Sequence, residues 1–177
     1  MPGSRDVFTW SKDKKCDIWR LSDGKLLDAW EWEPSLATAM TPDGKTVIAC
    51  HHKDKNISVF DLASKKLLRQ LAGHTGYVNA LAVTQDGRFV VSGANDGTLK
   101  YWSLADGHLL RTLEGDIRPV TAVAITPDGK RVIAGMMDGT IKVWDLYHER
   151  RLRALEGHLY DVTAVAITPD GQQVVSA

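Results

Sequence analysis

The strongest constraint on the fold is an internal repeat of about 42 residues. The tetrapeptide Thr-Pro-Asp-Gly occurs at 41–44, 126–129 and 168–171, and Thr-Gln-Asp-Gly at 84–87 is a fourth, weaker copy. The ten residues 120–129 recur unchanged at 162–171. Repeats of this length build arrays in which each unit buries its apolar face against its neighbours. The chain is therefore expected to fold as a series of similar units.

Other positions keep the same step along the chain. An aromatic residue recurs as Trp19, Phe60, Trp102 and Trp144, at intervals of 41, 42 and 42 residues. The dipeptide Gly-His occurs at 73–74 and 157–158. A period near 42 with Gly-His and Trp-Asp positions is typical of four-stranded propeller blades rather than helical arrays. An aspartate lies six residues before each aromatic residue: Asp13, Asp54, Asp96 and Asp138.

Local patterns predict β-strands and no helix. The segments 78–83 and 120–125 are rich in alanine and β-branched residues, which suits strands covered on both faces. The segments 99–104 and 141–146 alternate, as half-exposed strands do. We therefore predict an all-β chain: a β-propeller of about four blades, each with four antiparallel strands named a to d from the centre outward.

Composition excludes several classes of function. Twenty-two basic residues balance 22 acidic ones, which removes the usual electrostatic case for nucleic acid or an anionic membrane surface. The longest apolar stretch, 132–137, is far shorter than the roughly 20 residues of a membrane-spanning helix. We therefore expect no nucleic-acid or membrane partner, and we expect a cytoplasmic location.

These residues resemble the WD-repeat (Trp-Asp repeat) family of β-propellers over essentially the whole chain. The literal dipeptide occurs once, as Trp144-Asp145, whereas 19–20, 60–61 and 102–103 read Trp-Arg, Phe-Asp and Trp-Ser. The style of the repeat at 162–171 is similar to that of propellers found in bacteria. The resemblance implies a module that binds other proteins and has no catalytic activity of its own.

In this family, a hydrogen-bonded tetrad of histidine, serine or threonine, aspartate and tryptophan braces each blade. The resemblance assigns that structural role to His74, Ser92, Asp96 and Trp102 in the third unit. A neutral histidine can accept a hydrogen bond from serine and donate one to aspartate. The fourth unit departs from the pattern, with Asp116 in the place of histidine and Ala134 in the place of serine.

The repeat also predicts where the units begin and end. Residues 1–33 supply strands b, c and d of a partial blade, and residues 159–177 supply strands a and b of another. Three blades lie between them, at 34–74, 75–116 and 117–158. Propellers of this family usually close with about seven blades. The chain is therefore expected to be a fragment of a longer propeller, a half-ring that forms a homodimer, or a ring that closes on itself.

Partner binding is expected on one face of the array. In WD-repeat proteins the d–a and b–c loops share one face, which we call the top face. Aromatic residues, methionine and arginine are enriched at binding hot spots. The candidate partner-binding residues on this face are Trp10, Trp32, His52, Tyr77, Asn95, Arg118, Met136 and Tyr160.

The sequence contains no recognisable catalytic or cofactor-binding motif, so we expect no enzyme activity and no cofactor. Cys50, His51 and His52 are adjacent, but zinc sites need convergent ligands, usually as spaced pairs, and a second pair is missing. We expect no metal site. The sequence therefore favours an interaction scaffold or sensor that belongs to a longer regulatory protein. A self-assembling homo-oligomeric unit is the first alternative, and an enzyme that uses the propeller channel is a weaker one.

Overall fold

The computed structural model describes residues 6–10, 15–31, 35–51, 54–114 and 117–177. All regular structure in this part of the chain is β-strand. The strands are β1 (Asp6–Trp10), β2 (Lys15–Arg20), β3 (Lys25–Glu31), β4 (Ser35–Met40), β5 (Thr46–His51), β6 (Ile57–Asp61), β7 (Leu67–Leu71), β8 (Val78–Val83), β9 (Phe89–Ala94), β10 (Thr98–Ser103), β11 (Leu109–Glu114), β12 (Val120–Ile125), β13 (Arg131–Met136), β14 (Ile141–Asp145), β15 (Arg150–Leu155), β16 (Val165–Ile167) and β17 (Val174–Ser176).

The strands pair antiparallel in chain order to form five separate sheets. The first sheet contains β1–β3, the second β4–β7, the third β8–β11, the fourth β12–β15 and the fifth β16–β17. Because successive strands run in opposite directions, the a–b and c–d turns of a sheet lie at one end and the b–c loop lies at the other. The repeated four-stranded antiparallel sheets confirm the prediction of an all-β, partial propeller.

The repeated tetrapeptide forms the same turn between strands a and b in each of four sheets. In the third sheet, the Thr84 hydroxyl donates to Asp86 Oδ1 at 2.6 Å, and the backbone N–H of Phe89 donates to Thr84 Oγ1 at 3.1 Å. Gly87 has a φ of 70°, a conformation that glycine adopts without steric cost. The equivalent contacts recur at Thr41, Thr126 and Thr168.

Among the described residues, three apolar cores lie between the second, third, fourth and fifth sheets. The first packs Ile48, Ile57 and Leu71 of the second sheet against Val90 and Trp102 of the third. The next joins the third and fourth sheets, and the last joins the fourth and fifth. The innermost strands β4, β8, β12 and β16 contact one another in succession. The second to fifth sheets therefore pack against their neighbours, as expected of a repeat array.

Burial differs from the sequence expectation in β8, β10 and β12. β10 was expected to be half-exposed, but every residue from Leu99 to Ser103 is buried. The reason is that both faces of this strand lie between neighbouring sheets, so an alternating sequence does not expose one face. Conversely, β8 and β12 were expected to be covered on both faces, yet about two thirds of each strand is only half-buried.

A search of the described residues for a helix long and apolar enough to cross a membrane finds none.

Candidate functional site

The third sheet brings the four predicted tetrad residues together. Nδ1 of His74 lies 2.9 Å from Asp96 Oδ2, and Nε2 of His74 lies 2.7 Å from Ser92 Oγ. The indole N–H of Trp102 donates to Ser92 Oγ at 2.8 Å. Strand b supplies Ser92, strand c supplies Trp102, and the d–a and b–c loops supply His74 and Asp96. The chain of hydrogen bonds therefore ties both top-face loops to the middle of the sheet.

The electrostatics favour one pattern of protonation in this tetrad. Burial lowers the pKa of His74, although hydrogen bonding to Asp96 partly opposes that shift. Burial acts to raise the pKa of Asp96, but hydrogen bonds from Thr98 and His74 outweigh it and hold the pKa well below its ordinary value. A neutral His74 that donates from Nδ1 and accepts at Nε2 satisfies both partners.

Asp96 also fixes the backbone of the loop that precedes strand a. Its Oδ2 accepts a hydrogen bond from the backbone N–H of Thr75 at 2.9 Å. Gly76 packs against this site so closely that a Cβ atom there would lie 2.5 Å from the backbone nitrogen of Asp96. Within the tetrad, the side chain of His74 is completely buried and that of Asp96 is 9% exposed.

Parts of the same network occur in other sheets. In the first sheet, the Trp19 indole donates to Thr9 Oγ1 at 3.1 Å. In the fifth, His158 Nε2 lies 2.7 Å from Ser176 Oγ. This last pair was not predicted, although each member lies 84 residues after its counterpart in the His74–Ser92 pair. The repeat spacing could therefore have found it.

Four of the candidate partner-binding residues are exposed at the top face. They are Tyr77, Asn95, Arg118 and Tyr160. Asn95 Oδ1 accepts a hydrogen bond from the Asn79 side chain at 2.7 Å, and the Asn95 backbone N–H donates to the Tyr77 carbonyl at 2.8 Å. These bonds join the d–a and b–c loops of the third sheet and hold their exposed side chains in place.

The prediction that Met136 binds a partner is wrong. Its side chain is only 2% exposed and packs in the core between the third and fourth sheets. The backbone N–H of Met136 donates to the Thr140 carbonyl within the b–c hairpin. Met136 is therefore still part of strand b, and its side chain follows the alternation of that strand. The next residue, Met137, is exposed at the top face.

Sequence reasoning also missed two exposed residues of the d–a loops. Ile117 is 88% exposed and Leu159 is 90% exposed. They occupy equivalent positions, 42 residues apart and directly before Arg118 and Tyr160. An aliphatic residue in a polar loop, repeated at the same place in the next unit, was the available signal.

The remaining predictions for this face lie partly outside the described residues. Trp32 and His52 are outside them, and Trp10 is described only as a member of β1. His51 is at the end of β5, and its Nδ1 is buried without a partner among the described atoms. Among the residues that the structure describes, no cluster of three or more potential metal ligands occurs.

Repeated four-stranded sheets, the Thr-x-Asp-Gly turns and a buried His–Ser–Asp–Trp tetrad define a propeller-type repeat protein. The family model described as "WD domain, G-beta repeat" matches residues 65–103, 107–145 and 149–177. These matches cover more than half of the chain. The chain therefore belongs to the WD40-repeat family, which confirms the resemblance stated from the sequence.

Curated relatives match parts of the chain. "Autophagy-related protein 16" of Arabidopsis thaliana is 34% identical over 102 residues, which is 56% of this chain and 20% of that protein. "Small ribosomal subunit protein RACK1" of Neurospora crassa is 35% identical over 72 residues, 41% of this chain and 22% of that protein. "U3 small nucleolar RNA-associated protein 21 homolog" of Schizosaccharomyces pombe is 26% identical over 99 residues, 56% of this chain and 11% of that protein.

Two facts follow from these comparisons. The chain spans only about a tenth to a fifth of the length of these relatives. The three organisms are a plant and two fungi, so the relatives do not support the prediction of bacterial-type repeats.

Proposed function

We propose that this chain is a non-catalytic interaction module whose top face binds a protein or peptide. The observation that carries the proposal is a group of exposed apolar side chains on the d–a and b–c loops of adjacent sheets. Side chains of this kind on a folded surface mark interaction sites when they lie together. The group, which we call the top-face patch, consists of Tyr77, Ile117, Met137, Leu159 and Tyr160.

The loops that carry the patch lie against one another. The backbone N–H of Met137 donates to the Pro119 carbonyl at 3.0 Å, which joins the b–c and d–a loops of the fourth sheet. A Cβ atom on Gly139 would lie 2.8 Å from the Tyr160 carbonyl oxygen, so the next d–a loop packs directly on that hairpin. The backbone segments that carry Ile117, Met137, Leu159 and Tyr160 are therefore adjacent across the fourth and fifth sheets.

The rigid frame beneath the patch suits binding rather than chemistry. Backbone hydrogen bonds and the His74–Asp96 contact hold the loops before a partner arrives, which lowers the entropic cost of association. Tyrosine and methionine supply large contact areas of the type found at binding hot spots. Membership of the WD40-repeat family and relatives named for the ribosome and for autophagy support this role. We extend the proposal to a scaffold or sensor segment of a longer, cytoplasmic regulatory protein.

The test compares charged variants of two apolar surfaces. The triple variant Ile117→Glu, Leu159→Glu and Tyr160→Glu places charge in the patch at well exposed positions. The matched control, Leu67→Glu with Leu110→Glu, alters exposed leucines of the outermost strands β7 and β11. Both proteins are used as bait, with a photo-crosslinking residue at position 137, and the captured polypeptides are identified by mass spectrometry.

We expect the patch variant to lose the crosslinked partner, the control to keep it, and both to retain the far-ultraviolet circular dichroism of the original chain. Capture that survives in the patch variant would show that this face is the wrong one. A crosslink formed only between copies of the chain would favour a self-assembling unit instead.

A further inference from the structure

A second surface lies at the opposite end of the sheets from the top-face patch. A groove of about 310 Å³ opens between the third and fourth sheets, on the side of the a–b and c–d turns. Its lining includes the rings of Phe89, Tyr101 and Tyr147 and the carboxylates of Asp86 and Asp128. A groove of this size is at the lower end of the range for small-ligand sites. It suits a single side chain rather than a cofactor.

The repeat provides an internal comparison for this groove. An equivalent groove lies between the second and third sheets, and another lies between the fourth and fifth. The positions equivalent to the three rings carry small or aliphatic side chains in the groove between the second and third sheets. Packing of the blade therefore does not require aromatic residues at these positions. The equivalent residues there are Thr46, Val59 and Ala105.

The rings form a partly exposed aromatic surface. Phe89 and Tyr101 are stacked, with ring centroids 5.1 Å apart and an angle of 26° between their planes. Tyr101 is buried at the base, and Tyr147 on the c–d turn is 64% exposed. Faces of aromatic rings attract cations because the π-system is negative there.

Two cations of the chain already use these rings. The Arg88 guanidinium lies 5.5 Å from the Phe89 centroid, and the Arg111 guanidinium lies 5.9 Å from the Tyr101 centroid. Arg88 lines the neighbouring groove between the second and third sheets. Nε of Arg111 is held 3.0 Å from a carboxylate oxygen of Glu149. The rings thus accept guanidinium groups, while the groove itself is lined by Asp86 and Asp128.

The two aspartates supply negative charge. Oδ1 of Asp86 accepts hydrogen bonds from the Thr84 hydroxyl and the Arg88 backbone N–H. Oδ1 of Asp128 accepts the equivalent bonds from Thr126 and Lys130. Hydrogen bonds from the two threonines lower the pKa of both carboxyls, so both are ionised at neutral pH. In each residue, Oδ2 is the oxygen that can accept from a ligand.

We propose that this groove binds an arginine side chain of a partner polypeptide. A guanidinium group is planar, stacks on aromatic rings and donates two parallel hydrogen bonds to a carboxylate. Phe89 and Tyr101 stack on each other, and each already has a guanidinium of the chain over its ring, so the exposed ring of Tyr147 is the surface on which the ligand stacks. This ring and the two carboxylates match a guanidinium group better than they match a neutral or anionic side chain. The site is separate from the top-face patch, so it does not depend on the function proposed above.

The test uses an acetylated and amidated pentapeptide, Gly-Gly-Arg-Gly-Gly, and a second peptide with citrulline in place of arginine. Citrulline keeps the shape of arginine and removes its charge. Binding to the 177-residue chain is followed by two-dimensional NMR titration. We expect the arginine peptide to shift the backbone amides of Gln85, Gly129 and Tyr147, which line the groove, in a saturable way. The citrulline peptide is expected to bind at least on the order of fivefold more weakly.

Variants separate the rings from the carboxylates. Tyr147→Ala is expected to weaken binding on the order of fivefold, whereas Tyr147→Phe retains it, because both aromatic rings stack on a cation. Asp128→Asn is expected to weaken binding roughly threefold at low salt and less at high salt. The matched control Asp43→Asn alters the same turn beside the groove between the second and third sheets. It is expected to leave binding unchanged.

Three results would overturn the proposal. They are equal affinity for the two peptides, unchanged affinity in both Tyr147→Ala and Asp128→Asn, and the absence of saturable shifts at millimolar peptide. Shifts confined to Tyr77 and Tyr160 would assign the peptide to the top-face patch, and would also refute a groove site.

Discussion

The third and fourth sheets carry similar Thr-x-Asp-Gly turns and the same strand order, but they differ in the polar groups buried beside strand c. In the third, Ser92 is buried between His74 and Trp102 and bonds to both. In the fourth, the matching residue is Ala134, which is completely buried in an apolar core with Trp144. The two tryptophans therefore pack similarly while their surroundings differ in polarity.

This difference shows that the tetrad is not a requirement for the blade. The fourth sheet keeps the Asp138 interaction with the Thr140 hydroxyl at 2.6 Å, the counterpart of the Asp96 interaction with Thr98. It also keeps the interlocked core on both sides. The turn and the apolar core determine the fold. The tetrad is an added network in which each member stabilises the others.

The largest effect is expected from Ser92→Ala in the third sheet. The substitution removes the acceptor of the Trp102 N–H and the donor to His74 Nε2, and both groups stay buried. Leaving buried polar groups without partners costs about 1–3 kcal/mol each, so we expect a loss of about 3 kcal/mol in the free energy of unfolding. Urea denaturation measures it.

Ser103→Ala is the matched control, since Ser103 is a buried serine of the same sheet outside the tetrad. It is expected to cost about 1 kcal/mol or less. Equal losses in the two variants would mean that the network adds nothing beyond a single hydrogen bond.

The reverse change in the fourth sheet sharpens the comparison. Ala134→Ser places a hydroxyl in an apolar site where the histidine position is Asp116. We expect a loss of about 1–2 kcal/mol, because the new hydroxyl has no ring nitrogen to which it can donate. Adding Asp116→His is expected to recover about 1 kcal/mol of that loss, and a double-mutant cycle by urea denaturation measures the coupling. Additive effects would contradict a cooperative tetrad.

A change in pH is expected to affect the third sheet more than the fourth. The pKa of His74 is lower in the folded chain than its ordinary value of 6.5. At a pH between the pKa of His74 in the folded chain and its pKa in the unfolded chain, the unfolded chain binds a proton that the folded chain does not. Stability contributed by neutral His74 is thus complete above pH 6.5 and falls as the pH drops below it.

Amide hydrogen exchange, corrected for intrinsic rates, measures this effect separately in β9 and β13. Protection of β9 is expected to decrease between pH 7.5 and pH 5.5, while β13 changes less, since position 116 holds aspartate rather than histidine. In the His74→Phe variant, the additional loss of protection in β9 relative to β13 should disappear. A loss of protection of the same size in β9 and β13 would contradict a specific effect of His74 on the third sheet.

The repeat spacing predicted most of the fold because it locates the turns and strands of each unit directly. The strands 78–83 and 120–125 were predicted with the bounds that the structure shows. The resemblance to the WD-repeat family also assigned His74, Ser92 and Asp96 to one tetrad, and in the structure His74 lies within hydrogen-bond distance of both Asp96 and Ser92. Hydrogen-bonding residues at constant intervals carry information on contacts between strands that are distant in sequence.

Burial was harder to predict, because it depends on the neighbouring sheet. Lys100 looks like an outward-facing residue in an alternating strand, yet it is buried, and its Nζ donates to the Thr112 hydroxyl at 3.0 Å. Met136 and Met137 are adjacent and have the same side chain. Only the residue at which strand β13 ends determines which of the two is buried. One residue of uncertainty in a strand boundary exchanges the two faces of a strand.

The smallest expected effect concerns the c–d turns of the same two sheets. Gly107 of the third sheet has a φ of 80°, whereas the equivalent Glu149 of the fourth has a φ of 52°. A non-glycine residue in this left-handed region is strained by about 1 kcal/mol. Glu149→Gly is therefore expected to raise the free energy of unfolding by about 0.5 kcal/mol at high salt, where the exposed ion pair between Glu149 and Arg111 is screened. At low salt, loss of that ion pair offsets the gain.

Gly107→Ala is the opposite substitution and should cost about 1 kcal/mol in the free energy of unfolding at either salt concentration. Denaturant titrations measure the free energy of unfolding of the two variants. A loss of stability in Glu149→Gly at high salt would show that the two turns differ in more than the residue at this position.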